Sequence, residues 1–203
     1  MAGIPKRIFP LKRRRKRIRG FRRFLLEHQQ RAAVPAVFDI DFLRQTHRDS
    51  EKLGLAPWAV NEKPPLLIRQ LWVEKLVADF QNFHQQLAAH YADFYLALWL
   101  YEPEFGRSQL VAGVEEKQAW YEGLWDETLD VPLPDYYQTI PGVAALHWTA
   151  RPEVVSYWAD EFAELPARIR QKPHQAFVTP AGEDFFEVQI GWVWVGQWPG
   201  AAR

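Results

Sequence analysis

The sequence predicts an α+β domain in which a long amphipathic helix packs on an antiparallel or mixed β-sheet. Two adjacent stretches carry this prediction. Along Leu66–Tyr91, apolar residues recur every three or four positions, the period of a helix with one buried side. Along Phe94–Tyr101 the period changes to two, and turn residues at 102–106 lead into a second extended run at 107–114. A helix that is followed directly by a hairpin is typical of an α+β fold.

Two prolines mark the start of the predicted helix. Pro64 and Pro65 cannot continue a helix from upstream, but proline is tolerated in a first turn, where its missing N–H has no partner to lose. The apolar stripe of the helix consists of Ile68, Leu71, Trp72, Leu76, Val77, Phe80, Phe83, Leu87 and Tyr91. We expect this stripe to form the core against the hairpin.

The strands differ in how they are predicted to be buried. The strand at 94–101 is apolar on both alternating faces, which is typical of a strand that is central in its sheet or covered on two sides. Near the end of the chain, 175–179 pairs with the run from Phe185 onward across a turn at 180–183. This last strand is long enough to pass through the middle of the sheet. One of its faces is predicted to carry Phe186, Val188, Ile190, Trp192 and Trp194.

The remaining segments have less regular patterns. Val37–Leu43 alternates apolar and acidic residues and predicts a half-buried strand with Asp39 and Asp41 on one face. Residues 44–63 are predicted to be a long polar connection anchored by Trp58. The other predicted elements are a helix at 20–33, a loop at 126–143, a strand at 144–149 and a strand or loop at 152–158. Two further helices are predicted, one at 115–126 with Trp120, Tyr121 and Leu124 facing inward, and one at 160–172 that Pro166 interrupts.

Composition narrows the class of protein. The 203 residues include ten Trp, thirteen Phe and seven Tyr, which indicates a thick core and, where aromatics remain exposed, a binding surface. The absence of cysteine excludes disulfides, thiolate catalysis and Cys-bound zinc, and favours a reducing compartment. No apolar run approaches the ~20 residues of a membrane helix, and the basic start lacks the apolar segment of a secretory signal. We therefore expect a cytoplasmic protein without a membrane span.

The net charge of zero conceals an asymmetry along the chain. Residues 1–23 contain 11 of the 25 Lys and Arg residues and no acidic residue, so residues 24–203 hold 14 basic against 25 acidic residues, a net charge of −11. This distribution predicts a basic, flexible arm at 1–19 and a single α+β domain at 20–203.

The basic arm has two interpretations. Its densest cluster is a candidate for binding nucleic-acid phosphates or another anionic surface, and this cluster consists of Lys12, Arg13, Arg14, Arg15, Lys16, Arg17 and Arg19. Alternatively, the arm is a solubilising tail that folds back on the acidic domain. No aromatic residue interleaves the cluster, and no known nucleic-acid-binding module follows it.

The sequence contains none of the common catalytic or cofactor motifs. It lacks a G-x-S-x-G elbow, a P-loop, a dinucleotide-binding glycine fingerprint, H-E-x-x-H and C-x-x-C. His84 and His90 fall on different sides of the predicted helix, and no further ligands are identifiable for the carboxylates of Asp39 and Asp41. We therefore predict no catalytic residue, no cofactor and no metal site.

Four short segments resemble an uncharacterised family of bacterial domains of unknown function. They are Arg19-Gly20, the helical segment Ile68–Glu74, the hairpin segment from Glu102-Pro103 to Ser108-Gln109-Leu110, and the closing segment Gly191–Gln197. The family has an Arg-Gly near its start, an Arg-Leu-aliphatic-Gln helix, a Ser-Gln strand and a closing Glu-aliphatic-Trp strand, in which Gly191 here replaces the acid. The resemblance spans most of the domain and implies a bacterial, single-domain, cytoplasmic protein without an assigned activity.

These features favour a non-enzymatic protein-binding module, for example an immunity or antitoxin-like protein that binds a basic toxin or nuclease. The charge of −11 on residues 24–203 would attract a cationic partner. The residues expected at the binding surface are Trp99, Tyr101, Trp120 and Trp125. A nucleic-acid- or ribosome-associated protein that binds through the basic arm is the alternative. A second alternative is an enzyme with a carboxylate or Tyr/Arg site.

Overall fold

The computed structural model describes residues 11–52, 64–123, 129 and 131–199, with the backbone alone at 11–19 and 51–52. The chain forms two compact units, Met1–Pro35 and Ala36–Arg203. In the described part of the second unit, helices are combined with a six-stranded antiparallel sheet. The predicted α+β class is therefore confirmed.

The first unit contains helix α1, Leu11–Ala32, which includes most of the helix predicted at 20–33. The helix passes Gly20 without a break, so the boundary predicted between 19 and 20 is not a helix end. An ion pair between Arg23 Nε and Glu27 Oε1, at 3.0 Å, has the i,i+4 spacing that supports a helix. The backbone that carries the predicted basic cluster is thus helical from Leu11 onward.

The second unit contains, in chain order, α2 (Ile40–Thr46), β1 (Arg48–Lys52), α3 (Leu66–Ala88), β2 (Tyr95–Glu102), β3 (Gln109–Gly113), α4 (Glu116–Gly123), α5 (Asp135–Gln138), β4 (His147–Trp158), α6 (Ala159–Glu164), α7 (Ala167–Arg170), β5 (His174–Val178) and β6 (Asp184–Gln197). Short 3₁₀ turns lie at Phe105–Arg107 and Val143–Ala145.

Strand β6 is the centre of the sheet. The strand order is β1-β3-β2-β6-β4, and β5 also pairs with β6. All of these pairings are antiparallel. Strand β4 lies along one edge of β6, while β5 and then β2 lie along the other. The predicted central position of β2 and of the last strand, and the hairpin between β5 and β6, are confirmed.

Helix α3 covers one face of the sheet. This face, called the α3 face below, carries Leu98, Leu100 and Glu102 of β2, and Arg69 of α3 forms an ion pair with Glu102. The residues of the predicted stripe that are at most 3% exposed are Ile68, Trp72, Leu76, Val77, Phe80, Phe83 and Leu87. The helix and its buried side were therefore predicted correctly.

The opposite face carries Tyr95, Ala97, Trp99 and Tyr101 of β2, and we call it the Trp99 face. Helix α4 covers one end of it, where Tyr121 stacks on Tyr95 with 5.1 Å between ring centroids. Helix α6 covers the other end, where Phe162 stacks on Phe186 of β6 at 4.3 Å. The middle of β2, β6 and β4 lies between these two helices.

The last strand does not keep one side-chain period along its length. Glu153 pairs with Gly191 whereas the next residue, Val154, pairs with Gln189, so Ile190 is an extra residue that shifts the register. Val188 therefore shares the Trp99 face with Val193 and Val195, while Trp192 and Trp194 lie on the α3 face. The prediction that residues 186, 188, 190, 192 and 194 share one face was wrong, because the register shift exchanges the faces.

The strand predicted at Val37–Leu43 was also wrong. Residues Ile40–Thr46 form α2, and the side chain of Asp39 accepts a hydrogen bond from the Phe42 N–H at 2.9 Å, an N-cap. The polar connection predicted from residue 44 is interrupted at once by β1, which pairs with β3. Trp58 lies outside the described residues. The N-cap at Asp39 therefore favours a helix in a segment whose alternating apolar pattern predicts a strand.

Several other elements differ from prediction only in extent. Strand β4 is continuous from His147 to Trp158, although two separate segments were predicted. Pro152 is accommodated because β4 is an edge strand, where a missing N–H costs little. The interruption predicted at Pro166 is confirmed, since it separates α6 from α7. Helix α5 lies within the loop predicted at 126–143. Within the described residues, no helix has both the length and the apolar character that crossing a membrane requires.

Candidate functional site

A cleft of about 220 Å³ opens on the Trp99 face between α4 and α6. It is lined by Trp99, Tyr101, Arg107, Arg151, Pro152, Glu153, Val154 and Val193. The register places Tyr101, Val193 and Arg151 in one row across β2, β6 and β4. The cleft is thus built on paired strands, which hold its floor in place.

Aromatic rings continue from the cleft onto α4. The indole Nε1 of Trp99 donates a hydrogen bond to the Tyr95 hydroxyl at 3.2 Å, which fixes the orientation of the Trp99 ring. Tyr121 meets Trp99 edge to face at 6.0 Å between centroids, and Trp120 meets Tyr121 in the same way at 4.8 Å. Trp120 is 49% exposed, so the prediction that it faces inward was wrong, and its place at a binding surface stays a prediction.

Arg107 enters the cleft from the loop between β2 and β3. Its guanidinium lies 4.6 Å from the centre of the Tyr101 ring, and its Nη1 forms an ion pair with Glu153 Oε1. The loop is held because the Tyr101 backbone N–H donates to Ser108 Oγ at 3.1 Å and Phe105 is fully buried. The position of the guanidinium is therefore set by the hairpin, by an aromatic ring and by a carboxylate on another strand.

The two partners of this ion pair differ in exposure. The Arg107 side chain is 44% exposed, while that of Glu153 is 6% exposed. Burial raises the pKa of Glu153 above its ordinary value, and the positive charge of Arg107 offsets part of that rise. In the described part of the chain, Oε2 of Glu153 is buried and has no hydrogen-bond partner. Glu153 thus lies beneath the guanidinium that solvent reaches.

Further positive charge lies near the cleft. Arg151 is two residues before Glu153 on β4 and on the same face, about 7 Å away along the strand. Lys172 follows α7, and its Nζ donates to the carbonyl of Ile190 at 2.7 Å, the residue at the register shift. The charge of Lys172 also acts on the Glu153 carboxyl. Arg107 and Lys172 therefore act on one buried carboxylate, and Arg151 lies further along the same strand. The carboxylate of Glu104 lies 3.5 Å from Arg107 Nη1.

A second polar cluster lies on the α3 face and joins three elements. Arg69 of α3 pairs with Glu102 of β2, whose Oε1 also accepts a hydrogen bond from the Tyr137 hydroxyl of α5 at 2.7 Å. Burial, together with the charge of Glu102, raises the pKa of Tyr137 far above its ordinary value. Arg69 and Glu102 are each less than 10% exposed. Because the cluster is closed to solvent, we interpret it as a tie between α3, β2 and α5 and not as a binding site.

The predicted surface residues have different environments. Trp99 lines the cleft and Trp120 is exposed beside it, but Tyr101 is only 7% exposed because Arg107 covers its ring. Trp125 lies outside the described residues. The predicted basic cluster at 12–19 lies on α1, where the structure describes the backbone alone.

The structure separates the predicted carboxylate pair. Asp39 caps α2, and Asp41 forms an ion pair with Arg44 at 3.3 Å, so the two side chains serve different partners. Among the described residues, no group of three or more His, Cys, Asp or Glu side chains is placed to hold a metal ion.

Sequence reasoning missed the charged residues of the cleft. Arg107, Arg151 and Glu153 are separated along the chain, and only the sheet brings them together. One signal was present: the charged residues Arg151 and Glu153 alternate with Pro152 and Val154, which is typical of a strand with a polar face. The pairing of that face with the loop at Arg107 had no local signal.

No protein-family model, curated protein or solved structure matches the chain. The resemblance to a family of bacterial domains therefore stays a prediction, and the cleft must be interpreted from its own chemistry.

Proposed function

We propose that the second unit is a protein-binding module that takes its partner on the Trp99 face. The observation that carries the proposal is a row of packed rings that runs from exposed Trp120, through buried Tyr121, to Trp99. Trp99 lines the same cleft as half-exposed Arg107. Tryptophan, tyrosine and arginine are the residue types that contribute most to binding energy at protein interfaces. A tryptophan that is 49% exposed and fixed against other rings binds with little further loss of side-chain entropy.

The charge of the chain favours a basic partner, as an immunity or antitoxin-like function requires. Residues 24–203 carry a net charge of −11. Acidic residues lie on the helices at the two ends of the Trp99 face, namely Glu116 and Glu122 on α4 and Asp160, Glu161 and Glu164 on α6. Negative charge on these helices speeds encounter with a cationic protein, and this effect weakens with salt.

The test is capture of a partner from the native host with wild-type protein and two tryptophan variants. Trp120→Ala removes the exposed anchor, and Trp158→Ala is its matched control, because both residues are 49% exposed and Trp158 lies at the far end of β4. We expect a protein that wild type and Trp158→Ala retain equally and that Trp120→Ala binds at least about tenfold more weakly. A partner that all three proteins bind equally would exclude this surface.

The basic helix α1 supports a second function, binding to nucleic acid. A helix rises about 1.5 Å per residue, so the nine Lys and Arg residues between positions 12 and 23 follow one another along about 18 Å of α1. This charge density is sufficient for binding phosphates in a sequence-independent way.

Charge-changing variants test this second function. Replacing Arg13, Arg14, Arg15 and Arg17 with Gln should abolish retention on heparin and RNA at low salt, while the same residues replaced with Lys should retain binding. On single-stranded RNA, the slope of log affinity against log salt concentration should fall by about 0.7 for each phosphate that the variant no longer neutralises. If the intact protein is not retained on heparin at low salt, that result would contradict nucleic-acid binding through α1.

A further inference from the structure

We infer that the partner inserts a carboxylate side chain into the cleft, where Arg107 and Arg151 bind it beside the ring of Trp99. This inference rests on the proposed function, since it names the anchor that a partner on the Trp99 face would use. It assigns a ligand chemistry to the cleft that the net charge of the chain does not suggest.

The exposure of the charged atoms determines whether the cleft binds an anion or a cation. The Arg107 side chain is 44% exposed, whereas Glu153 is 6% exposed and lies under it. An incoming anion reaches the guanidinium directly. An incoming cation would have to displace Arg107 from both Glu153 and the Tyr101 ring before it reached the carboxylate. The cleft therefore presents the exposed part of the Arg107 guanidinium to a ligand, while the Glu153 carboxylate is buried and the Glu104 carboxylate already pairs with Arg107.

Glu153 and Tyr101 prepare Arg107 for this role. The carboxylate binds Nη1 and the ring lies against the face of the guanidinium, so the orientation of the group is set before a ligand arrives. Guanidinium presents five N–H donors in a fixed plane, which suits two-point binding of a carboxylate. Preorganisation of this kind raises affinity because less side-chain entropy is lost on binding.

The size of the cleft favours a side chain over a free cofactor. Its volume is about 220 Å³, below the roughly 300–1,000 Å³ that is typical of sites for complete small molecules. One acidic side chain, with its aliphatic part against Trp99 and Val193, uses both the charge and the apolar floor. The floor gives a reason to expect a carboxylate on a protein and not a bare inorganic anion.

Local and overall charge act at different distances. The −11 charge of residues 24–203 steers a partner during its approach. Near the cleft, three cations lie close to two carboxylates, so the local charge favours an anionic group. The cations are those of Arg107, Arg151 and Lys172, and the carboxylates are those of Glu153 and Glu104. A basic partner that carries one central acidic anchor satisfies both requirements.

Titration of the full chain with blocked amino acids tests the inference. The probe is N-acetyl glutamate N-methylamide, its neutral control is the glutamine analogue, and the readout is the Nε–Hε signal of Arg107 in ¹H–¹⁵N spectra. We expect a saturable shift with glutamate alone. Arg107→Gln should weaken this binding at least about tenfold. Arg44→Gln should not, and it is the matched control because Arg44 is also exposed and ion-paired to a residue three positions earlier.

Each outcome decides between the proposals. Equal responses to the glutamate and glutamine probes, or binding that survives Arg107→Gln, would overturn the inference. Saturable binding of inorganic phosphate without glutamate binding would assign the cleft to phosphate and also overturn it. A partner that binds the Arg107→Gln variant at full strength and fails to bind the Trp120→Ala variant would overturn the carboxylate anchor. That result would leave the proposed protein-binding function in place. If glutamate binds but no protein depends on Trp120, the module is wrong and the cleft is a site for small anions.

Discussion

At the scale of single residues, Gly191 permits the close packing of strands that positions the cleft. It pairs with Glu153 on β4 and lies beside Glu102 of β2. A Cβ atom at this position would overlap the Glu102 carbonyl oxygen and lie 2.8 Å from Pro103 Cδ. The first of these neighbours is backbone, which cannot move aside as a flexible side chain does. This close approach is the physical reason for a glycine at position 191.

Gly191→Ala should lower the free energy of unfolding by about 2 kcal/mol or more, because the added methyl group overpacks two paired strands. Gly123→Ala at the end of α4 is the control, since an added Cβ there meets no atom within 4 Å. The midpoint of urea denaturation measures both changes. If the two alanine variants were equally stable, the close approach at Gly191 would not constrain the sheet.

Glu153 should make stability depend on pH in the direction opposite to that of most carboxylates. Its pKa is above the ordinary 4.5 in the folded protein because it is buried. The folded state therefore binds this proton more tightly than the unfolded state does, and the associated stability is complete below 4.5 and is lost as pH rises through the folded pKa.

Denaturation of wild type and Glu153→Gln between about pH 4 and pH 7 measures this contribution, because glutamine does not titrate. We expect the stability of wild type relative to Glu153→Gln to decrease as the pH rises. Glu104→Gln is a useful comparison, since Glu104 also pairs with Arg107 but its side chain is 34% exposed. A stability difference that is constant with pH would show that Glu153 has the same pKa in both states.

At the scale of secondary structure elements, local hydrogen bonds determine the conformation of a segment whose side-chain period predicts a different one. The alternation of Val37–Leu43 fits a strand, but Asp39 caps α2 and Leu43 becomes fully buried. The same element ends at His47, which has a φ of 58° and donates its backbone N–H to the Leu43 carbonyl at 2.8 Å. Two short-range contacts thus define a seven-residue helix, because capping satisfies N–H and C=O groups that a short helix leaves without partners.

Asp39→Ala should destabilise the protein by about 1 kcal/mol through loss of this N-cap. Asp41→Ala is the control, because its ion pair with Arg44 lies at the surface, where such pairs contribute from about 0 to 1 kcal/mol. Urea denaturation monitored by circular dichroism compares the two variants. A larger effect of Asp41→Ala than of Asp39→Ala would contradict the capping role.

At the scale of the whole molecule, burial is concentrated around β2 and the second half of β6. Seven of the eight residues of β2 are buried, whereas β5 is exposed at four of its five positions. Strand β6 joins these two regions, since its first half pairs with β5 and its second half with β2. Stability should therefore vary along one continuous strand.

Hydrogen exchange should show this variation directly. We expect the amides of β2 to exchange only through global unfolding, and those of β5 to exchange at least about tenfold faster through local opening. Exchange measured by NMR in native conditions, with increasing denaturant, distinguishes the two routes. Equal protection of β5 and β2 would mean that the sheet opens as one unit.

Several elements could be predicted from the amino-acid sequence because their signal is local. The buried stripe of α3, the hairpin of β2 and β3, and the closing hairpin of β5 and β6 follow from side-chain period and turn residues, and each is confirmed. The charge asymmetry is likewise a property of the sequence alone. Trp120 was expected at a binding surface, but the prediction that its side chain faces inward on the helix at 115–126 was wrong.

The proximity of the charged residues at the cleft, by contrast, depends on how the strands pair. Arg107 and Glu153 are 46 residues apart in the chain, and they pair because β2 and β4 flank β6 in one register. That register is continuous from Gln197 to Gly191, and the extra residue at Ile190 exchanges the faces only in the first part of β6. A side-chain period describes which side of its own strand a residue occupies. It carries no information on the neighbouring strand, which the packing of both sheet faces selects.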